Sequence, residues 1–297
     1  MKWTLNRLCA TGILATCAWV ATPVTAYAQD IEPRAYSNAP IGINFLGLGY
    51  AQAESARYRT STEVVGYSHI FALGGQSARV DVVLPYAQLS GSVPVAGYSV
   101  NRTTDGLTDP LIRLSVNFYG APAMSLQEFA DYKQDLILGA SLTASAPWGQ
   151  YDSNQLVNIG ANRWFIQPGL GGSKAIGPWK FELAAAATIF TDNNDFFGSN
   201  SRTQKPIYST TGHVIYSFPS GPWLSVDATY LTGGQTALNG KWNDDLQENW
   251  RFGGTLSLPI NKNNSIKLYA GMGVLSRTGN NYDLVGVTWQ YRWGAGL

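Results

Sequence analysis

The residues best suited to catalysis are the two histidines, His69 and His213. His213 lies in an alternating stretch and shares its polar side with Ser209, Thr211 and Ser217, which raises the possibility of a serine hydrolase acting on lipids or esters. A nucleophile must lie within hydrogen-bonding distance of its base, and spacing of two along a strand does not provide that contact. Without a supporting motif, we predict no catalytic site and interpret His213 as a histidine bonded to its neighbours.

Metal and phosphate chemistry has equally little support. The run 192–195 (DNND) supplies oxygen donors of the kind calcium accepts, but it lacks the spacing of a known calcium loop and is better interpreted as a solvated external loop. No GxxxxGK[ST] phosphate loop occurs. With two cysteines, Cys9 and Cys17, and two distant histidines, a transition-metal site is not expected. The sequence therefore predicts no metal and no cofactor.

Strands dominate the expected structure. Apolar and polar residues alternate with a period of two, as where Trp179, Phe181 and Leu183 alternate with Lys180 and Glu182. Glycine (32), tyrosine (16) and tryptophan (10) are plentiful, and long amphipathic helical patterns are missing. The predicted strands cover about 41–52, 63–73, 77–89, 107–118, 134–146, 162–174, 178–191, 206–217, 222–232, 249–259, 264–277 and 283–293.

The connections between these segments alternate in length. Tight turns (GGQ, AIG, PSGP and INKN) are interleaved with longer polar loops, which is the asymmetry of an up-and-down barrel in an outer membrane. One expected short turn is long instead. It contains a capping box, Ser125 with Glu128, and places Leu126, Phe129 and Tyr132 on one helical face, so we predict a short periplasmic helix that covers one end of the barrel.

A soluble sandwich would also alternate, with its apolar face inward. Two features favour a barrel with lipid outside. Aromatic residues occur near strand ends on the apolar face, as at the two membrane interfaces: Trp164, Trp179, Tyr216, Phe218, Tyr230, Trp250 and Trp293. Charged residues occupy the opposite face, and the candidate lumen-lining residues are Arg79, Asp81, Arg113, Asp135, Arg163, Lys180, Glu182, His213, Asp227, Arg251, Lys267 and Arg292. We predict a closed antiparallel transmembrane β-barrel of about twelve strands.

The ends of the chain indicate export to the outer membrane. Lys2 and Arg7 precede an apolar stretch that reaches a small-residue cleavage pattern, so residues 1–28 are predicted to be a signal peptide. Residues 29–40 are predicted to form a polar N-terminal periplasmic segment that could act as a partial plug, and residues 41–297 are predicted to form the barrel. The aromatic last strand suits recognition by the outer-membrane assembly machinery, although the chain ends in GAGL instead of an aromatic residue. A net charge of +1 with 13% charged residues gives no footprint for nucleic acid.

Several motifs resemble one known family over nearly all of the predicted mature chain. They are EPRAYSNAPIGINFL, GLTDPLIRLSVNFYGAP, SAPWGQYD, NIGANRWFIQPGLG, FTDNNDFFG, LTGG, GGTLSLPI and WQYRWG. Together they are similar to the outer-membrane transporters of the meta-pathway of phenol degradation. The resemblance implies an outer-membrane barrel associated with uptake of small, often aromatic, compounds, and it supplies no set of binding residues.

We therefore expect a channel and not an enzyme. About twelve strands should enclose a narrow pore for passive movement of small solutes, and an excess of inward cations should favour anions mildly. Phe165, Phe190 and Tyr269 could guide aromatic or amphipathic solutes, or could simply pack against their neighbours. Two alternatives stay open: an outer-membrane enzyme that depends on His213, and a structural or adhesive barrel whose external loops carry the activity.

Overall fold

The computed structural model describes residues 32–55, 58–95, 98–277 and 282–297. The predicted signal peptide lies outside these ranges. Seventeen strands and one short helix, α1, occur in the described part. No helix there has the length and apolar character needed to cross a membrane. The elements are β1 (Ile43–Ser55), β2 (Tyr58–Leu73), β3 (Gln76–Val95), β4 (Tyr98–Leu107), β5 (Leu111–Tyr119), α1 (Leu126–Phe129), β6 (Leu136–Ser145), β7 (Phe165–Ile176), β8 (Trp179–Phe190), β9 (Asn193–Phe196), β10 (Asn200–Gln204), β11 (Ile207–Ser217), β12 (Trp223–Gly233), β13 (Thr236–Leu238), β14 (Lys241–Trp242), β15 (Gln247–Pro259), β16 (Asn264–Ser276) and β17 (Tyr282–Gly294).

Twelve of these strands close into one antiparallel barrel. Its circular order is β1, β2, β3, β5, β6, β7, β8, β11, β12, β15, β16 and β17. The last strand returns to the first, with Ile43 opposite Gly294 at one end and Ser55 opposite Tyr282 at the other. The predicted up-and-down barrel is confirmed, and the predicted strands match the barrel strands apart from shifts at their ends.

The fourth predicted strand, 107–118, is wrong at its start. The structure separates it into the end of β4 and the whole of β5, with a break at residues 108–110. Pro110 has no backbone N–H, and the Asp109 carboxylate accepts from two loop amides instead of continuing a strand. β4 pairs only with β3, so these two strands extend beyond the barrel wall as a hairpin.

A second sheet was not predicted. It orders β14, β13, β10 and β9, which come from the two long connections after β8 and after β12. Its strands contain two to five residues each, too short for a recognisable alternation. Since both connections follow strands that run away from the short turns, this small sheet lies at the long-loop end of the barrel.

The outer face of the barrel is apolar, as predicted. Leu183, Val226 and Leu170 are each more than 60% exposed at mid-strand positions. Aromatic side chains flank this band at both ends: Trp179, Tyr216 and Phe218 contact one another near the short turns, with ring centroids 4.8 Å apart in each successive pair. Near the long loops, the rings of Tyr230 and Trp250 lie 5.0 Å apart.

Helix α1 begins with the predicted capping box. The Ser125 hydroxyl accepts a hydrogen bond from the Glu128 amide at 3.3 Å, and the Glu128 carboxylate accepts one from the Ser125 amide at 2.8 Å. No residue of α1 is buried, so the helix itself does not pack into the barrel end. The segment just before the helix is attached to the start of the barrel instead, because the Met124 carbonyl accepts a hydrogen bond from the Ile41 amide at 2.8 Å.

The ladder between β7 and β8 is interrupted at Pro168. The ladder between β7 and β8 pairs Ile166 with Ile189 and resumes at Gly169 with Ala186 in the same register. Gln167 and Pro168 have no partner in that ladder, as expected for a residue that cannot donate a backbone hydrogen bond. The Gln167 side chain instead donates to the Thr188 hydroxyl at 2.9 Å, inside the barrel.

Candidate functional site

The inward face of the barrel carries a row of three ionisable side chains on adjacent strands. Glu182 of β8 lies opposite His213 of β11, and His213 lies opposite Asp227 of β12. The His213 Nδ1 and Asp227 Oδ1 atoms are 2.6 Å apart. Glu182 and His213 are 5% and 4% exposed, respectively. The row therefore forms one patch of buried ionisable groups on the interior wall, in which a hydrogen bond joins His213 to Asp227.

This patch does not have the geometry of a hydrolase triad. A triad needs a hydroxyl on the second imidazole nitrogen, opposite the carboxylate. Here the Ser225 hydroxyl donates to Asp227 Oδ2 at 3.2 Å and not to the histidine. The His213 Nε2 atom is buried and has no hydrogen-bond partner in the described part of the chain. An acid that orients the histidine is present, but no hydroxyl among the described residues is bonded to its second nitrogen.

A second charged group lies on the inward faces of β3, β5 and β16. The Arg79 Nε atom donates to Asp81 Oδ2 at 3.0 Å, and Arg113 lies opposite Asp81 in the ladder. The Arg113 Nε and Nη2 atoms are buried without a hydrogen-bond partner among the described residues. Lys267 approaches the carboxylate of Glu32 at 3.4 Å. Cationic side chains therefore concentrate on this part of the interior.

The N-terminal segment 32–40 enters the barrel and contacts both charged groups. The Arg34 amide donates to Glu182 Oε2 at 2.8 Å, and the Arg34 guanidinium donates to the Ser217 hydroxyl at 2.7 Å. The same guanidinium lies 4.8 Å from the ring centroid of Trp223. Since Glu32 pairs with Lys267, the segment reaches across the interior from β8 and β12 to β16.

Tyr36 fixes this segment against the wall. Its side chain is 1% exposed and clusters with Ala35 and Ala184. Gly139 and Gly171 face its ring: a Cβ added at Gly171 would lie 2.4 Å from Tyr36 Cε2, and one added at Gly139 would lie 2.6 Å from Tyr36 Cδ1. Both distances are shorter than any contact between carbon atoms, so only glycine leaves room for the ring at these two positions.

Three of the predicted lumen-lining residues occupy other places. The prediction for Asp135 is wrong, because its side chain is 79% exposed and pairs with Lys174 at the short-turn end. Arg292 is exposed at the same rim, where its Nε atom donates to the Lys262 carbonyl at 2.6 Å. Arg163 precedes β7 by two residues and lies among the long loops. The remaining candidates lie on inward-facing strand positions: Arg79, Asp81, Arg113, Lys180, Glu182, His213, Asp227, Arg251 and Lys267.

At the long-loop end, the connection between β6 and β7 packs against neighbouring elements. Asp109 anchors it, because its two carboxylate oxygens accept from the amides of Gly149 and Ala161 at 2.8 Å each. Burial raises the pKa of Asp109, and these two hydrogen bonds oppose that shift. Val157 of this loop packs against Leu89 of β3. The loop is therefore tethered to the neighbouring elements at this end of the barrel.

The predicted solvated loop 192–195 is partly structural. Asn193 is 3% exposed and belongs to β9. Its side-chain Nδ2 atom donates to the Tyr151 hydroxyl at 3.0 Å and to the Ala161 carbonyl at 3.2 Å. Sequence reasoning missed this contact, together with the inward contacts of Glu32, Arg34 and Tyr36. The proposal of a plug at residues 29–40 was the one signal that pointed toward them.

A closed twelve-stranded barrel, apolar outside and charged inside, defines the class of outer-membrane β-barrels. A family model described as "Putative MetA-pathway of phenol degradation" matches residues 44–293. The chain belongs to this family, so the resemblance noted in the sequence is confirmed.

A solved outer-membrane channel shows the same fold. The COG4313 outer membrane channel from Pseudomonas putida F1 has a TM-score of 0.78 at 19% identity, over 89% of this chain and 100% of that chain. The KdgM porin in complex with disordered oligogalacturonate scores 0.46 at 12% identity, over 82% and 98%. The transport unit of the autotransporter AIDA-I from Escherichia coli scores 0.49 at 10% identity, over 95% and 97%. The comparison with curated proteins gave no match.

Proposed function

We propose that the protein is an outer-membrane channel for passive uptake of small solutes, including aromatic and amphipathic compounds. The observation that carries the proposal is the charged and hydrogen-bonding interior of a closed barrel whose exterior is apolar. Ionisable side chains inside a membrane-embedded protein are costly and commonly mark ion or solute paths, which supports the proposal. The family description supports aromatic compounds as one substrate class.

Charge on the inner wall supports a mild preference for anions. Arg79, Arg113, Lys180, Arg251 and Lys267 lie on inward-facing strand positions, against Asp81, Glu182 and Asp227. Rings of cationic side chains select anions because they stabilise the permeating charge inside a low-dielectric wall. Phe165 and Phe190 also face inward, with ring centroids 6.2 Å apart, and offer an aromatic surface near the outer mouth.

The N-terminal segment is proposed to act as a partial plug of this path. Its hydrogen bonds to Glu182 and Ser217 and the buried ring of Tyr36 hold it across the interior at the short-turn end. None of these contacts is covalent. The segment can therefore leave the interior at a cost set by Tyr36 and Arg34, which would widen the pore.

Liposome swelling tests the channel directly. Purified protein in liposomes should accelerate swelling in small sugars, organic acids and phenols relative to protein-free liposomes, with faster entry of organic anions than of cations of the same size. Planar bilayers should show discrete current steps with the same preference. Protein that migrates as a folded barrel yet gives neither swelling nor current steps would eliminate the channel and favour a structural barrel.

A further inference from the structure

The carboxylate of Glu32, in the N-terminal segment, faces three cationic side chains of the barrel wall. Its Oε2 atom lies 3.4 Å from Lys267 Nζ. The charge of Lys267 lowers the pKa of Glu32 below its ordinary value, and the charges of Arg79 and Arg113 act in the same direction. Arg79 and Lys267 each lie three residues into a strand that begins at a short turn, so they are at about the same depth in the barrel. Arg79, Arg113 and Lys267 therefore form a cationic arc around an internal carboxylate.

The wall itself balances only part of this positive charge. The Asp81 Oδ2 atom accepts from Arg79 Nε at 3.0 Å, and its Oδ1 atom accepts from the Ser68 hydroxyl at 2.5 Å. The Nε and Nη2 atoms of Arg113 are buried without a hydrogen-bond partner among the described residues. Counted over the described residues, the three cations face two carboxylates while the segment is docked and one carboxylate once it has left. Clustered charge of one sign in a low-dielectric wall attracts a counter-ion, so the arc without Glu32 favours another anion.

Glu32 is held loosely in this position. Its side chain is 79% exposed, and its distance of 3.4 Å from Lys267 exceeds the length of about 2.7–2.9 Å that is usual for charge-assisted hydrogen bonds. Exposed ion pairs contribute little to stability. A group on a short flexible tether competes at an effective concentration on the order of millimolar. A free carboxylate at millimolar concentration can therefore take the place of Glu32.

Open space adjoins the arc on β1 and β2. Gly47 and Gly66 lie opposite each other in the ladder between these strands, and Gly66 shares the inward face with Ser68, two positions further on. A Cβ added at Gly66 would meet no atom within 4 Å outside its adjacent residues. Since Glu32 is itself exposed to solvent, the interior here has room for the body of a solute as well as for its carboxylate.

An aromatic ring lies beside Lys267 on the same face of β16. Tyr269 follows Lys267 by two positions, and strand side chains two positions apart point to the same side. Tyr269 is paired with Gly286 of β17, and a Cβ added at Gly286 would lie 2.3 Å from Tyr269 Cζ. The ring therefore lies over the glycine, close to the wall. An aromatic surface next to a cation suits a carboxylate with an aromatic body.

We propose that the cationic arc of Arg79, Arg113 and Lys267 is a binding site for small organic carboxylates, and that Glu32 is its tethered internal occupant. An incoming carboxylate takes the place of Glu32 beside Lys267, and an aromatic body packs against Tyr269. The proposal rests on the proposed channel function and names a substrate class for it, but binding can be measured without transport.

Fluorine NMR titration of para-fluorobenzoate against the folded protein in a non-ionic detergent tests the site. The ligand signal should broaden saturably, beyond the broadening that protein-free micelles cause. para-Fluorobenzamide, which has nearly the same shape without the charge, should bind at least about tenfold more weakly. Equal binding of the amide would show that the ring and not the carboxylate is recognised, and would overturn the assignment.

Glu32→Gln is the most informative variant, because it should bind the ligand more tightly than the wild type. Removal of a tethered competitor at an effective concentration on the order of millimolar should tighten the apparent binding of a ligand with a Kd of about 1 mM by about twofold or more. Loss of structure does not produce such a gain. Glu54→Gln is the matched control, since Glu54 is an exposed carboxylate that pairs with Arg59 at the long-loop end, and it should bind like the wild type. Unchanged or weaker binding in Glu32→Gln would show that Glu32 does not occupy the site.

Two further variants locate the site. Lys267→Gln should weaken binding by about tenfold or more, because a charged donor is lost, and Glu32→Gln should not restore it in the double variant. Gly66→Leu should weaken binding with every charge in place, because it fills the open space beside the arc. Heat-modifiable migration on gels checks that each variant has folded. Unchanged binding in folded Lys267→Gln would refute the site.

Swelling assays on the wild type separate this proposal from the channel function. Liposomes that swell with protein that binds no para-fluorobenzoate would refute the carboxylate site and leave the channel intact. Saturable binding that tightens in Glu32→Gln, by protein that gives no swelling, would support the site and eliminate the channel.

Discussion

Replacement of Tyr36 by alanine should open the pore. The ring is 1% exposed and lies against Gly139, Gly171 and Ala184. Aromatic side chains bury about 150–250 Å² each, and truncation of a buried aromatic residue to alanine typically costs about 3–5 kcal/mol. Since the barrel wall does not depend on this ring, the loss should act mainly on the docked state of the N-terminal segment.

The lower end of that range is sufficient for a large effect. A loss of about 3 kcal/mol shifts the equilibrium between docked and released segment by more than about a hundredfold, because each 1.4 kcal/mol is a factor of ten. In planar bilayers, Tyr36→Ala should therefore show a higher open probability and a larger single-channel conductance than the wild type. Liposome swelling should accelerate in parallel, most clearly for solutes near the size limit of the wild-type pore.

Tyr36→Phe is the matched control. The Tyr36 hydroxyl is buried without a hydrogen-bond partner in the described residues, so removal of this oxygen preserves the ring and its close approach to Gly139 and Gly171. This variant should conduct like the wild type. If Tyr36→Ala also conducts like the wild type while deletion of residues 32–40 raises conductance, Tyr36 is not the anchor; if the deletion has no effect either, the segment does not narrow the pore.

Three further predictions concern the wall, the mouth and the alternative activity. Val287 is 40% exposed on the outer face, so Val287→Arg should lower the free energy of unfolding by about 2–4 kcal/mol near the membrane midplane, as measured by urea unfolding in liposomes. Gln290→Arg, on the inner face, should be tolerated. Equal loss of stability in both variants would contradict the assigned faces. Asp109→Asn should loosen the β6–β7 loop, because an amide side chain retains only one of the two acceptor oxygens and an unsatisfied buried donor costs about 1–3 kcal/mol. Proteases should then cleave the loop faster than in the wild type. An unchanged cleavage rate would mean that another contact anchors the loop. Purified protein should turn over neither lipids nor esters, and an activity that disappears in His213→Ala would establish an enzyme instead.

The barrel was predictable because its wall repeats one simple rule. Each wall strand separates lipid from the interior, so its side chains alternate throughout, as in Trp179, Lys180, Phe181 and Glu182. The small sheet was not predictable by the same rule. Its strands are two to five residues long and pair with one another across distant loops, so neither length nor alternation marks them.

The sequence predicted which charged side chains face the interior along the barrel wall, but not where those at its two ends lie. Arg163 was assigned to a strand by parity, but the chain turns at Asn162, whose φ of 51° is left-handed, and β7 begins only at Phe165. The prediction for Asp135 was wrong for a related reason. Asp135 precedes the first residue of β6, where alternation no longer fixes the direction of a side chain, and its carboxylate pairs with the exposed Lys174. The contacts of Arg34 and Tyr36 join residues about 100 to 180 positions apart, which no local pattern encodes.

The seam between β1 and β17 makes the barrel an all-or-none assembly. Thirteen residue pairs join the first strand to the last without a register shift. If β17 were removed, β1 and β16 would both expose backbone groups to hydrocarbon, where each unsatisfied group costs several kcal/mol. A polypeptide cut short before Tyr282 should therefore accumulate as an unassembled precursor open to periplasmic proteases, and no smaller barrel should take its place.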